Sequence, residues 1–127
     1  MPTPIEIAIS EYFGALATLD VERYVNSFTP DGVAYDPVGT PALEGHDALR
    51  AFLTHVKAGF QNAGLKVDKA FPCGNSAAVR WTGSGVAMNG KSVSFEGVDV
   101  LECNDDGKIT LLRAFWDPAP VMAVLSS

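Results

Sequence analysis

The sequence predicts an α+β fold, with helices first and a long, mostly antiparallel sheet after them. Three observations carry this. Apolar residues recur at three- and four-residue steps up to about residue 63, they alternate with polar ones beyond Gly64, and Asn89-Gly90 separates two of the alternating runs. A period of 3.6 marks a helix with one buried face, and a period of two marks a half-buried strand. Asn-Gly tolerates positive φ at both central turn positions, which makes it a strong hairpin signal.

Pro4 opens the first helix, because a proline fits the first helical turn. Ile5, Ala8, Ile9, Ala15, Leu16 and Leu19 form its apolar stripe, with Tyr12 in the middle. Asp20 reads as the N-cap of a short second helix that presents Val21, Tyr24, Val25 and Phe28. Thr29-Pro30-Asp31-Gly32 stops it, and Val33 to Asp36 forms a short extended piece closed by Pro37. A third helix is expected from about His46 to Ala63, carrying Leu49, Phe52, Leu53, Val56 and Phe60, with Gly64 as its end. Strands follow near Leu65–Phe71, Ala77–Met88, Lys91–Cys103 and Lys108–Asp117. Asn104-Asp105-Asp106-Gly107 turns the third of these into the fourth, and the apolar tail from Pro118 packs across an edge or a partner. A sheet that curves strongly, with three helices on one face, leaves a concave mouth in which a pocket forms.

The chain has 127 residues, enough for one domain with a real core, so residues 1–127 are read as a single unit. Apolar residues make up 47% and charged ones 19%, a globular composition. Nine basic residues face fifteen acidic ones, a formal charge of −6, and no basic cluster exists. That argues against nucleic acid or an anionic membrane as partner, since both require a concentrated Lys/Arg face. Cys73 and Cys103 stand far apart with no metal or redox spacing and read as free thiols. No signal peptide or membrane-length apolar run is evident, so the expected location is cytoplasmic.

Asp99 is the most informative residue. It shares strand parity with Val93, Phe95, Leu101 and Cys103, which places a carboxylate among apolar neighbours. Such a group finds a donor or becomes neutral, because a bare buried charge is very costly. A functional acid, a purely structural one, and a bulge that turns Asp99 to solvent all remain open. Tyr12 reads either as an amphipathic core residue or as a hydroxyl donor. Asp36, before Pro37, reads either as a turn former or as a general base at a pocket edge. His46 and His55 are weighed as an acid–base pair against capping or surface roles, and the latter fits their positions better. Arg80 and Arg113 alternate with apolar neighbours and are expected to pair with surface carboxylates.

These residues come together in a resemblance. Tyr12-Phe13-Gly14-Ala15-Leu16 with Asp20, Asp36-Pro37-Val38-Gly39, Gly97-Val98-Asp99-Val100 with Gly107-Lys108, and Arg113-Ala114-Phe115-Trp116 resemble the bacterial ketosteroid Δ5-isomerases of the NTF2-like/SnoaL-like superfamily. The resemblance spans the first helix to the last strand and is weakest between about residues 54 and 76. It implies a cone of three helices on a strongly curved sheet around an apolar pocket, no cofactor, and a hydrophobic small-molecule substrate. It also implies a cofactor-free isomerase that transposes a C=C bond by proton transfer α to a carbonyl. Asp36 would be the base, with Tyr12 and a protonated Asp99 as donors to the oxyanion. Ketosteroid isomerases are themselves the well-known example of a carboxylic acid kept neutral so that it can donate.

By the same resemblance Trp116 belongs to the pocket wall, with Phe52, Leu53 and Phe28 from the helical half. Thr82, Ser84, Val86, Phe95, Leu112 and Ala114 complete it from the strands. The chain departs from the family where supporting tyrosines are expected, having Phe28 and Leu53 there. Tyr35 has the wrong parity to replace them. The epoxide-hydrolysing branch carries an arginine two residues before the strand aspartate, where this chain has Gly97. Polyketide cyclisation or dehydration on the same scaffold, and a non-catalytic binding module, stand as alternatives. A homodimer through the outer sheet face, at Val98 and Val100, is expected from the family.

Overall fold

The computed structural model describes all 127 residues. Thr3 caps the first helix, α1 (Pro4–Leu16), in a reciprocal box with Glu6: the Glu6 amide donates to Thr3 Oγ1 at 3.3 Å and the Thr3 amide to Glu6 Oε1 at 2.9 Å. The helix ends at Leu16 rather than Leu19. Leu19 takes a positive φ of 54°, and the Asp20 amide folds back to the Ala15 carbonyl at 2.8 Å. Asp20 then caps α2 (Val21–Asn26), as expected.

Phe28 does not lie on the second helix; it opens β1 (Phe28–Tyr35), pairing with Ile109. The Thr29–Gly32 segment is an irregularity within that strand, not a stop. β2 (Leu43–Glu44) leads into α3 (Gly45–Ala58), which ends at Gly59, five residues before the expected Gly64. Phe60 to Ala63 belong instead to β3 (Phe60–Cys73), because pairing with the next strand already begins at Phe60 opposite Ala87. Gly64 serves a different purpose: a Cβ there would run into the Ala17 carbonyl, so α1 and β3 meet only because that residue has no side chain.

β4 (Ser76–Ala87), β5 (Ser92–Cys103) and β6 (Ile109–Trp116) follow the expected spans within one residue. The Asn89-Gly90 and Asn104–Gly107 turns carry Gly90 at φ 85° and Gly107 at φ 79°, a region that favours glycine. The six strands lie in the order β2-β1-β6-β5-β4-β3, all antiparallel except for the parallel β1–β6 pair. The tail is a fourth helix, α4 (Ala119–Leu125), started by the prolines at 118 and 120. Its end is tied down by Asn89 Nδ2, which donates to the carbonyls of Val124 at 2.8 Å and Ser127 at 3.1 Å.

The core lies between the concave sheet face and the helices. Val79, Trp81, Leu101, Leu112 and Ala114 meet Ile5, Ala8, Tyr12, Leu49 and Leu53, all of them buried. Burying each large apolar side chain contributes roughly 1.5–3 kcal/mol before entropy is counted. Arg80 and Arg113 stand exposed on the outer face and form no ion pair; the pairs present join Arg23 to Glu11 and Arg50 to Glu22 and Asp47. No helix is long and apolar enough to cross a membrane.

Candidate active site

The strand register explains how a carboxyl comes to sit in the core. Asp99 lies opposite Val79 on one side and Ala114 on the other, and all three point to the concave face. Its exposure is 1%, so no bulge turns it outward. Two residues earlier, Gly97 makes room for aromatic rings. A Cβ at that position would lie 2.6 Å from Trp81 Cζ2 and 2.8 Å from Trp116 Cβ. The two indoles therefore close around a bare stretch of backbone, 6.4 Å apart between ring centroids, with Phe95 beside both.

Each indole holds one acid. Trp81 Nε1 donates to Asp99 Oδ1 at 2.9 Å, and Trp116 Nε1 donates to Asp36 Oδ1 at 2.7 Å. Asp36 reaches Trp116 because β1 runs parallel to β6 and ends at Tyr35 opposite Arg113. The following loop is fixed by the Val38 amide, which donates to the Ala114 carbonyl at 2.8 Å. From the helical side Tyr12 (1% exposed) projects toward Asp99, with its ring held edge-on between Phe13 and Phe28.

Tyr12, Asp36 and Asp99 line one cavity of about 100 Å³. Of the 17 residues around it 14 are hydrophobic, so the polar atoms inside have little water to share. Burial accordingly pushes the Asp99 carboxyl up to about 8. The charge of Asp36 adds to the rise, and hydrogen bonding from Trp81 and Tyr12 opposes it. Burial also raises Asp36, but only to about 6, with the Trp116 hydrogen bond working against it. Tyr12 is pushed well above the ordinary phenol value, by burial first and then by the charge of Asp99. Two carboxyls in one dry cavity thus differ in how firmly they keep a proton.

Of the expected wall residues, Trp116, Phe52, Leu53 and Phe95 border the cavity. Phe28, Leu112 and Ala114 are buried in the core without lining it, Phe28 standing behind the Tyr12 ring. Thr82, Ser84 and Val86 lie off the cavity altogether. They alternate with the inward Val79, Trp81 and Gly83 and so face the other side of β4, where Thr82 donates to Asp68. His46 meets the Phe28 carbonyl at 3.0 Å and His55 is exposed, both outside the cavity. Ten lining residues escape the sequence reading as parts of the site, and two of them, Trp81 and Tyr24, carry a side-chain polar atom. Trp81 leaves a signal there, because Ala77, Val79 and Trp81 form the apolar parity of β4 against Arg80, Thr82 and Ser84. Tyr24 is visible only as one member of a helical stripe; nothing in the sequence indicates where its hydroxyl points.

A curved sheet wrapped on helices around a buried acid–phenol cavity is the NTF2-like architecture. An NTF2-like protein from Burkholderia pseudomallei superposes with a TM-score of 0.83 at 21% identity, covering 99% of this chain and 100% of the other. The SnoaL-like domain family matches residues 9–112, and the chain belongs to that family. It is 25% identical to a steroid Δ-isomerase of Nocardioides simplex over 122 residues, 96% of this chain and 97% of the relative. It is 28% identical to the epoxide hydrolase/cyclase-like enzyme SalBIII of pyran ring formation in polyether salinomycin, with a TM-score of 0.77 and coverage of 89% and 90%.

Proposed function

We propose that the protein is a cofactor-free isomerase that moves a C=C bond of an unsaturated ketone by proton transfer α to the carbonyl. The observation that carries this is the convergence of Tyr12, Asp36 and Asp99 on one mostly hydrophobic cavity, where burial raises both carboxyls, Asp36 to about 6 and Asp99 further, to about 8. A base must be ionised and an oxyanion donor must hold its proton, and pH 7 falls between the two. The Asp36 carboxylate takes a proton from the carbon between the carbonyl and the C=C bond. The electron pair passes to the carbonyl oxygen, giving a dienolate that accepts hydrogen bonds from the Tyr12 hydroxyl and the Asp99 carboxylic acid. Asp36 then returns the same proton to the γ carbon, the carbonyl re-forms, and the double bond ends in conjugation.

The likeness to a steroid isomerase supports this reading. Gly97 supports it over epoxide opening. A side chain there starts 2.6 Å from the Phe115 carbonyl oxygen and the Trp81 ring, so the arginine of that chemistry has no place. Size qualifies the substrate. Ligand pockets usually measure roughly 300–1,000 Å³, and this cavity holds about 100 Å³. A small cyclic ketone matches that volume, whereas a steroid exceeds it.

The test follows enone absorbance with 5-androstene-3,17-dione and with 3-cyclohexen-1-one. Conversion of at least one is expected, falling by about 10²–10⁴-fold in Asp36→Ala. No conversion of either, or an unchanged rate in that variant, overturns the reading. A retained polyketide found by mass spectrometry would favour cyclisation or dehydration instead, and ordinary titration of both acids a binding module. The proposal includes a homodimer through the outer sheet face, where Phe71, Val98 and Phe115 stand exposed. Sedimentation that gives a monomer at micromolar concentration overturns that part.

A further inference from the structure

Tyr24 is fully buried at 0% exposure, it borders the cavity, and its hydroxyl is the one buried side-chain polar atom with no hydrogen-bond partner. The two indoles and the two acids at the cavity are paired with one another. Trp81 and Trp116 hold one oxygen of each acid, and Tyr12 faces Asp99. An orphaned buried hydroxyl is a costly feature that native structures rarely keep without a reason. Its residue borders the cavity, so a bound molecule that shifts the wall slightly is the partner nearest to hand.

We infer that Tyr24 is a second ligand-binding phenol, whose hydroxyl donates to an oxygen of the bound molecule other than the one held by Tyr12 and Asp99. The ligand class that follows is an oxygenated enone, a carbonyl compound with a second acceptor, rather than a hydrocarbon ketone. This rests on the cavity being the substrate site proposed above. Two observations separate the oxygens. The Tyr12 and Tyr24 rings are 5.6 Å apart between centroids and tilted by 40°, so the two phenols stand side by side without stacking. The charge that bears most on Tyr12 is that of Asp99, while for Tyr24 it is Asp36. An oxygen docked between Tyr12 and Asp99 leaves the Tyr24 hydroxyl to the far side of the ligand, nearer the proton-transfer centre.

Quenching of Trp81 and Trp116 fluorescence reports occupancy, and phenol-sized probes match the cavity. Phenol carries one oxygen; catechol, resorcinol and hydroquinone carry a second at three different spacings. At least one dihydroxybenzene is expected to bind the wild-type protein about fivefold tighter than phenol, the worth of one ordinary hydrogen bond. Tyr24→Phe is expected to erase that difference, leave phenol affinity unchanged and leave the melting temperature undiminished, because no protein hydrogen bond is lost. Asp99→Asn is expected to weaken phenol itself. Equal loss for all four probes in Tyr24→Phe, no change for any, or a lowered melting temperature with the preference intact overturns the assignment. Failure of phenol to bind at all overturns the parent reading instead.

Discussion

The Trp81 indole donates across 2.9 Å to one oxygen of Asp99, the carboxyl that burial raises further of the two at the cavity. A donor of this kind favours the ionised carboxylate, so Trp81 holds Asp99 in place while working against its neutral form. Burial outweighs it. Anchoring and proton retention are thus in tension, and the balance sets the alkaline limit of any activity that uses Asp99 as an acid.

Replacing that indole exposes the tension. Trp81→Phe is expected to move the alkaline limb of the rate profile to higher pH, because the carboxylate loses a donor. Stability is expected to fall by about 1–3 kcal/mol, since one Asp99 oxygen is left buried without a partner. Steady-state rates from pH 6 to 10 and urea titration measure the two effects. An alkaline limb that moves down contradicts the account.

The wild-type rate should trace a bell. Activity rises as Asp36 loses its proton near pH 6 and falls as Asp99 loses its own near pH 8. Trp116→Phe removes the donor that lowers Asp36 and is expected to shift only the acid limb, upward. Profiles of kcat/KM for the two variants should therefore narrow the bell for Trp116→Phe and widen it for Trp81→Phe. Movement of the same limb in both would contradict the separate pairing of each indole with one acid.

Much of this arrangement is legible in the sequence. Period-two parity alone places Asp99 among apolar neighbours, and the residues around 12, 36 and 99 mark three separate elements as parts of one site. The differences share a physical cause. Helix three reads through Phe60 because an apolar residue at helical spacing looks the same whether it continues a helix or begins a strand, and Gly59 is the true stop. Thr82, Ser84 and Val86 look like wall from the resemblance, although their own alternation with Val79 and Trp81 places them on the other face. The Trp81–Asp99 and Trp116–Asp36 pairs depend on cross-strand register, and a one-residue slip would reverse them.

Stability should depend on pH in a direction opposite to that of most carboxylates. Asp36 and Asp99 both bind their protons more tightly in the folded protein than in the unfolded chain, where an aspartate titrates near 4. Their contribution is complete below about pH 4 and is lost as pH rises through 6 for Asp36 and 8 for Asp99. Between pH 6 and 8 the decline belongs to Asp99 and amounts to at most about 1.4 kcal/mol per unit. Asp99→Asn keeps an acceptor for Trp81 and has no proton to lose, so its unfolding free energy is expected to stay flat over that interval. Urea melts at four pH values measure this, and parallel slopes for wild type and variant would refute it.

The remaining prediction concerns size. Val121 on α4 lines the cavity together with Phe60 and Phe52, and Leu125 of the same helix packs over Gly59 at 3.5 Å from where a Cβ would stand. Val121→Ala removes two methyl groups from the wall without touching an acid or a phenol. The substitution leaves a hole at a site 6% exposed and is expected to cost about 1–2 kcal/mol. The same hole gives a larger ligand room. For the bulky steroid enone relative to cyclohexenone, kcat/KM is expected to rise about 10-fold, mostly through KM, while the pH limbs stay fixed. If the ratio is unchanged, α4 does not limit what enters, and the limit must be sought at α3, from which Phe52, Leu53 and Val56 also line the cavity.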